Sequence, residues 1–92
     1  MTAVDAATWR RDPGLPHQKL DEETIVVDPA RREVHLLNET AARVWELCAT
    51  PSSLDDLVTA LGDEYDVPAA ELRAAVVELV SLLGEKRLLV AA

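Results

Sequence analysis

Val34-His35-Leu36-Leu37-Asn38-Glu39-Thr40-Ala41-Ala42-Arg43-Val44-Trp45-Glu46-Leu47-Cys48 changes its period in the middle, and that change decides the fold. Up to Leu37 the run is short, branched and apolar, which predicts a strand over Glu33–Leu37. Beyond Asn38, the residues Ala41, Val44, Trp45 and Cys48 recur at i, i+3, i+4 and i+7, one face of a helix, with Leu47 widening the stripe. Asn38 suits the junction because its side-chain oxygen can accept a free amide of the first turn. Glu39 then places a negative charge at the positive end of the helix dipole.

Upstream, Thr24-Ile25-Val26-Val27 predicts a second strand, and Asp28-Pro29-Ala30-Arg31 a type I turn joining it to the first as a hairpin. His17–Leu20 supplies a further short strand. Residues 1–16 are polar and carry Pro13, Gly14 and Pro16, so they are expected to form a flexible N-terminal arm, leaving 17–92 as the folded domain. Trp9 in that arm is expected to fold back over an apolar edge.

Downstream, Pro51 ends the first helix. Ser52 or Ser53 caps the second, each with an aspartate three residues on, and Leu54, Leu57, Val58 and Leu61 form its apolar stripe, extended by Tyr65. Pro68 suits the first position of a third helix, whose inward face runs Leu72, Val76, Leu79, Val80, Leu83, with Ala75 and Val77 beside it. Gly84 reads as the stop, and Leu88-Leu89-Val90 as an apolar tail that packs as a short strand. Strands first and helices after make an α+β class, winged-helix-like: a three-stranded antiparallel sheet followed by a three-helix bundle.

Composition limits the function. The 92 residues make one domain, and 49% hydrophobic content is enough for a core, built mainly from Leu, Val and Ala because aromatics are only 3%. A net charge of −8 weighs against nucleic acid and against anionic membranes. The single cysteine excludes an internal disulfide and, with no signal-like or membrane-length apolar run, points to a cytoplasmic protein. Catalysis is not expected. The glycines Gly14, Gly62 and Gly84 are too scattered for a phosphate loop. His17, His35 and Cys48 match no metal spacing, and Cys48 lies on a buried stripe. Asp55, Asp56, Asp63, Glu64 and Asp66 read as caps and solvated charge. No catalytic residue, metal or cofactor is assigned.

The run from Val34 to Cys48 resembles the signature of the PqqD family: a strand ending in Leu-Asn, then a helix of the form x-Thr-Ala-x-x-hydrophobic-Trp-x-Leu. Leu54–Tyr65, Val67–Leu83 and Lys86–Val90 resemble the family's second helix, third helix and closing segment, so the likeness spans roughly residues 17–90. One departure is Ala49-Thr50-Pro51, where many relatives have Asp-Gly. The resemblance implies a non-enzymatic recognition element that takes the leader region of a ribosomally made precursor peptide as an added antiparallel strand, in a groove between the third strand and the third helix. It then presents the peptide to a modifying enzyme such as a radical SAM enzyme, a cyclase or a leader peptidase. Carried onto this chain, the docking edge is Glu33, Val34, His35, Leu36 and Leu37. The helix wall is Arg73, Val76, Val77 and Val80, with Glu78 and Leu83 as further wall residues.

Two other classes fit the same elements. A self-pairing adaptor would use the open strand to form a homodimer. A winged-helix DNA-binding regulator would need the third helix to enter a groove with Arg73 as its only base and Glu71 and Glu78 against it, which the net charge opposes.

Overall fold

The computed structural model describes residues 8–91. Strands β1 (Thr8–Arg11), β2 (His17–Leu20), β3 (Glu23–Asp28) and β4 (Glu33–Leu37) precede helix α1 (Glu39–Leu47). Strand β5 (Ser52–Ser53), helices α2 (Leu54–Glu64) and α3 (Ala69–Glu85), and strand β6 (Leu89–Ala91) complete the chain. The sheet β2-β3-β4 is antiparallel throughout, and the three helices follow it, so the α+β expectation holds.

A second small sheet, β5-β1-β6, was not foreseen. It draws Thr8–Arg11 out of the expected arm and makes them the central strand, paired with Ser52–Ser53 on one side and Leu89–Ala91 on the other. The residues of the expected arm before Thr8 lie outside the described residues. Trp9 packs on the core as expected, and its indole nitrogen is buried with no hydrogen-bond partner among the described residues. The apolar tail finds its place as β6, with Leu88 and Leu89 wholly buried.

The core is aliphatic with one large ring. Trp45 is 1% exposed and sits among Val26, Val44, Leu54, Leu57, Leu61, Val76, Val80, Leu83 and Leu88. The helix starts follow their sequence signals. The Asn38 side chain accepts from the Ala41 amide at 3.0 Å. Ser53 and Asp56 form a reciprocal capping box: the Asp56 amide donates to Ser53 Oγ at 3.1 Å and the Ser53 amide donates to Asp56 Oδ2 at 2.9 Å. Those hydrogen bonds hold the Asp56 carboxyl below its ordinary pKa.

The end of α3 differs from expectation. Gly84 stays within the helix, and the chain turns at Arg87, which takes a left-handed φ of 60°. No Cβ is forbidden at Gly84; one would sit 3.7 Å from Trp9 Cζ3, ordinary van der Waals contact. Gly84→Ala is therefore expected to stabilise the domain by about 0.5 kcal/mol, because alanine loses less backbone freedom in a helix. A thermal melt should show Tm rising by about 3 °C; a fall would mean that the Trp9 ring cannot accommodate the methyl group.

The β3–β4 turn depends on Asp28, whose buried carboxylate accepts from the Arg31 amide at 3.2 Å and from Arg31 Nη1 at 2.9 Å. The Arg31 side-chain hydrogen bond holds the Asp28 carboxyl below the usual carboxylate range, against the opposing effect of desolvation. A pKa lowered on folding gives stability that is present above the unfolded value near 3.9 and is lost as pH falls through the folded one. Asp28→Asn should therefore destabilise the protein at pH 7 and show a shallower loss of stability below about pH 4. Urea unfolding of both proteins at pH 7 and pH 3 checks this, and equal acid losses would remove Asp28 from the account.

Candidate functional site

Strand β4 lies at one edge of its sheet, paired only with β3. The direction of its backbone groups follows from two observations. The Val27 amide donates to Pro16 O, on the β2 side of β3. In an antiparallel ladder a residue's N–H and C=O point the same way and successive residues alternate. Hence Glu23, Ile25 and Val27 face β2, while Thr24, Val26 and Asp28 face β4. Their partners Leu37, His35 and Glu33 are consumed by β3. The N–H and C=O of Val34 and Leu36 are left pointing out of the sheet, free to pair with another strand.

The side chains alternate as well. Glu33, His35 and Leu37 lie on the inner face, opposite Asp28, Val26 and Thr24, all three buried. Val34 and Leu36 lie on the outer face and are 68% and 61% exposed. The sequence left the buried face of this strand open, because apolar residues stand on both sides; packing against the helices assigns it to His35 and Leu37.

Beside the free edge runs a groove of about 380 Å³ lined by Val34 to Asn38 and Ala41 on one side and by Leu79, Leu82 and Leu83 of α3, with Lys86 at its C-cap, on the other. Strand and helix therefore form the two walls, and of the expected helix residues Arg73, Val76, Val77 and Val80 none lines this groove. Val76 and Val80 are fully buried core residues. Arg73 and Val77 lie on the opposite flank of α3: at roughly 100° per residue, Leu82 and Lys86 stand roughly 140–180° round the axis from Val77. That flank is turned toward α2, where Arg73 Nη1 donates to Asp55 Oδ1 at 2.7 Å. Glu78 is exposed and lines no part of the groove. Of the further wall residues, Leu83 alone reaches it. The overlooked signal was a second stripe, Leu79, Leu82, Leu83, Lys86, at i, i+3, i+4 and i+7. Leu82 lies off the core stripe yet is aliphatic, and it is half exposed.

Elsewhere the polar groups brace the fold. Arg43 Nε donates to both Glu64 carboxylate oxygens at 2.8 and 3.0 Å, and Nη2 adds a bond of 2.9 Å, tying α1 to the end of α2. The pairing pushes the arginine pKa up and the Glu64 pKa down. Burial pushes the Cys48 thiol up to about 11, the opposite of an activated nucleophile. Among the described residues no group of His, Cys, Asp or Glu is placed to hold a metal, and no helix is long and apolar enough to cross a membrane.

Three solved structures share this architecture. TbiB1 in complex with the TbiA(beta) leader peptide superposes with a TM-score of 0.79 at 19% identity, over 87% of this chain and 93% of that one. A lasso peptide synthetase B1 complexed with a leader peptide gives 0.76 at 24% identity, over 89% and 96%. The PqqD truncation of Methylobacterium extorquens PqqCD, described as a functional, stand-alone recognition element for ribosomally synthesised and post-translationally modified peptides, gives 0.72 at 20% identity, over 90% and 88%. No curated protein matches the chain in sequence. The model of the family described as coenzyme PQQ synthesis protein D (PqqD) matches residues 23–89, from the start of β3 into β6, and the chain belongs to the PqqD family.

Proposed function

We propose that this protein is a non-catalytic recognition element that binds the leader region of a ribosomally made precursor peptide as an extra antiparallel strand on β4 and presents it to a modifying enzyme. One observation carries the reading: the free backbone groups of Val34 and Leu36 open onto a groove whose far wall is the apolar flank of α3. Backbone pairing gives affinity with little dependence on sequence, while pockets for alternate side chains give selectivity, which is the physics of strand addition. The leader peptides in two structures of the same fold, and the recognition element in the third, agree with this use of the site. The docking set is Val34 and Leu36 through their backbones, Glu33, His35 and Leu37 through their inward side chains, and Leu79, Leu82, Leu83 and Lys86 as the wall.

The test is calorimetric titration with synthetic leader segments of candidate precursor peptides, with and without a candidate modifying enzyme. Binding at about micromolar affinity is the expected result for a standard short strand-addition interface. No binding in either case would overturn the reading. The exposed Val34 and Leu36 also suit pairing with a second copy, which would show as a dimer by light scattering that the peptide does not dissociate.

A further inference from the structure

The inner face of β4 carries a buried polar group with no hydrogen bond. His35 has a side chain only 12% exposed, it borders the groove, and its Nε2 is buried without a hydrogen-bond partner among the described residues. Glu33 Oε1 on the same face stands 3.5 Å away, within ion-pair distance, yet no hydrogen bond joins the two. Around them the groove is lined mainly by aliphatic side chains, Leu37, Ala41, Leu79, Leu82 and Leu83, with Asn38 and Lys86 as its other polar residues.

The geometry of the free edge says which part of a docked strand meets this group. An added antiparallel strand bonds to Val34 and Leu36, so its residues opposite those two share their outward face. The residue between them lies opposite His35 in a pair without mutual backbone hydrogen bonds, the closer kind, with Cβ atoms about 4.5–5.5 Å apart. Its side chain enters the groove beside the imidazole.

We propose that this docked position selects an uncharged hydrogen-bonding side chain, a hydroxyl or a carboxamide, and that His35 is the specificity-determining residue that reads it. The inference rests on the strand-addition reading. A carboxylate at this position would meet the charge of Glu33 at short range. An aliphatic side chain would seal Nε2 away from any partner, and an unmade buried hydrogen bond is the costly case. A hydroxyl or carboxamide both donates and accepts, so it satisfies Nε2 in either tautomer, and where Nε2 is the donor its own N–H or O–H is left to donate to Glu33. The neighbouring inward position, opposite Leu37, meets Leu37 on the wall and favours an aliphatic residue.

Random twelve-residue peptides displayed on phage would be selected on the wild-type protein, with Val34→Pro as the counter-selection that retains only edge binders. Expected is enrichment of Thr, Ser, Asn or Gln at one position flanked by apolar residues. A synthetic peptide with Thr→Val at that position should bind the wild type roughly tenfold or more weakly. The same change should cost nothing in His35→Leu and should still cost affinity in His35→Asn, which keeps a hydrogen-bonding side chain. Edge binders with no polar preference, or a Thr→Val loss of equal size in His35→Leu, would overturn the role of His35 while leaving strand addition intact. Failure to recover any binder sensitive to Val34→Pro would instead sink strand addition, and this inference with it.

Discussion

Val34→Pro is expected to weaken leader-peptide binding by at least about thirtyfold while the protein stays folded. The Val34 N–H points away from β3, so replacing it with proline removes no hydrogen bond from the free protein; edge strands tolerate proline where the N–H faces solvent. In the proposed complex the same N–H would meet a carbonyl of the added strand, and the proline ring would occupy its place. The peptide carbonyl is then buried without a donor, at a cost of about 1–3 kcal/mol, and the ring displaces the strand at the next pair as well. His35→Pro is the contrasting variant. Its N–H is consumed by Val26 inside the sheet, so that change should cost about 3 kcal/mol of fold stability. Circular dichroism melts of both variants, set beside calorimetry, separate the two effects. If Val34→Pro melts as early as His35→Pro, the assignment of outward backbone groups is wrong. If it folds and binds as tightly as the wild type, the peptide does not add to β4.

That parity was beyond the reach of the sequence, although the strand itself was not. Glu33–Leu37 was legible as a strand because Asn38 punctuates it, and its place at an edge came from the family resemblance. Which of its residues face inward depends on the pairing to β3, and apolar residues at both Val34 and Leu37 cancel the alternation that normally decides it. The groove lies against a flank of α3 other than the one carrying Arg73 and Val77, for a related reason. A helix with a central buried stripe has two flanks, and only packing decides which one meets the strand. Val77 marked one flank with an aliphatic residue and Leu82 marked the other. The ion pair of Arg73 with Asp55 shows that α2 covers the first, so the groove takes the second.

The framework was legible where local signals agree. Asn38, Ser53 with Asp56, and Pro68 set three helix starts, and each is realised within a residue. The second sheet was not, because β1 and β6 are four and three residues long, and β5 has only two. Segments so short carry almost no periodic signal; what joins them is long-range, the Arg11 amide donating to Cys48 O at 2.8 Å and the Asp12 amide to Leu88 O at 3.1 Å. A Pro- and Gly-containing stretch therefore read as an arm, although its first described residues are a central strand.

The same junction sets the largest stability effect expected of a single substitution. Trp45 projects from α1 into the place where the two sheets and the end of α3 converge. Its Nε1–H donates to Leu88 O at 3.1 Å, the Arg11 guanidinium lies 4.8 Å from the ring centroid, and His17 meets the ring edge-on at 4.7 Å. Trp45→Ala removes the only large ring in the fully buried core and leaves a cavity that short aliphatic neighbours cannot fill, a loss of about 4 kcal/mol. A domain of this size is stable by roughly 5–10 kcal/mol, so Tm should fall by about 20 °C. Trp45→Phe separates the two contributions. It retains most of the ring but not the donor, and Leu88 O still accepts from the Asp12 amide, so no carbonyl is orphaned and the loss should be about 2 kcal/mol. Chemical unfolding measures both. Near-equal losses for Ala and Phe would place the energy in the indole hydrogen bond, while a loss under about 1 kcal/mol for Trp45→Ala would mean that the core is not organised around this ring. Because Trp45 itself lines no part of the groove, Trp45→Phe, if folded at the assay temperature, should bind the leader peptide as tightly as the wild type.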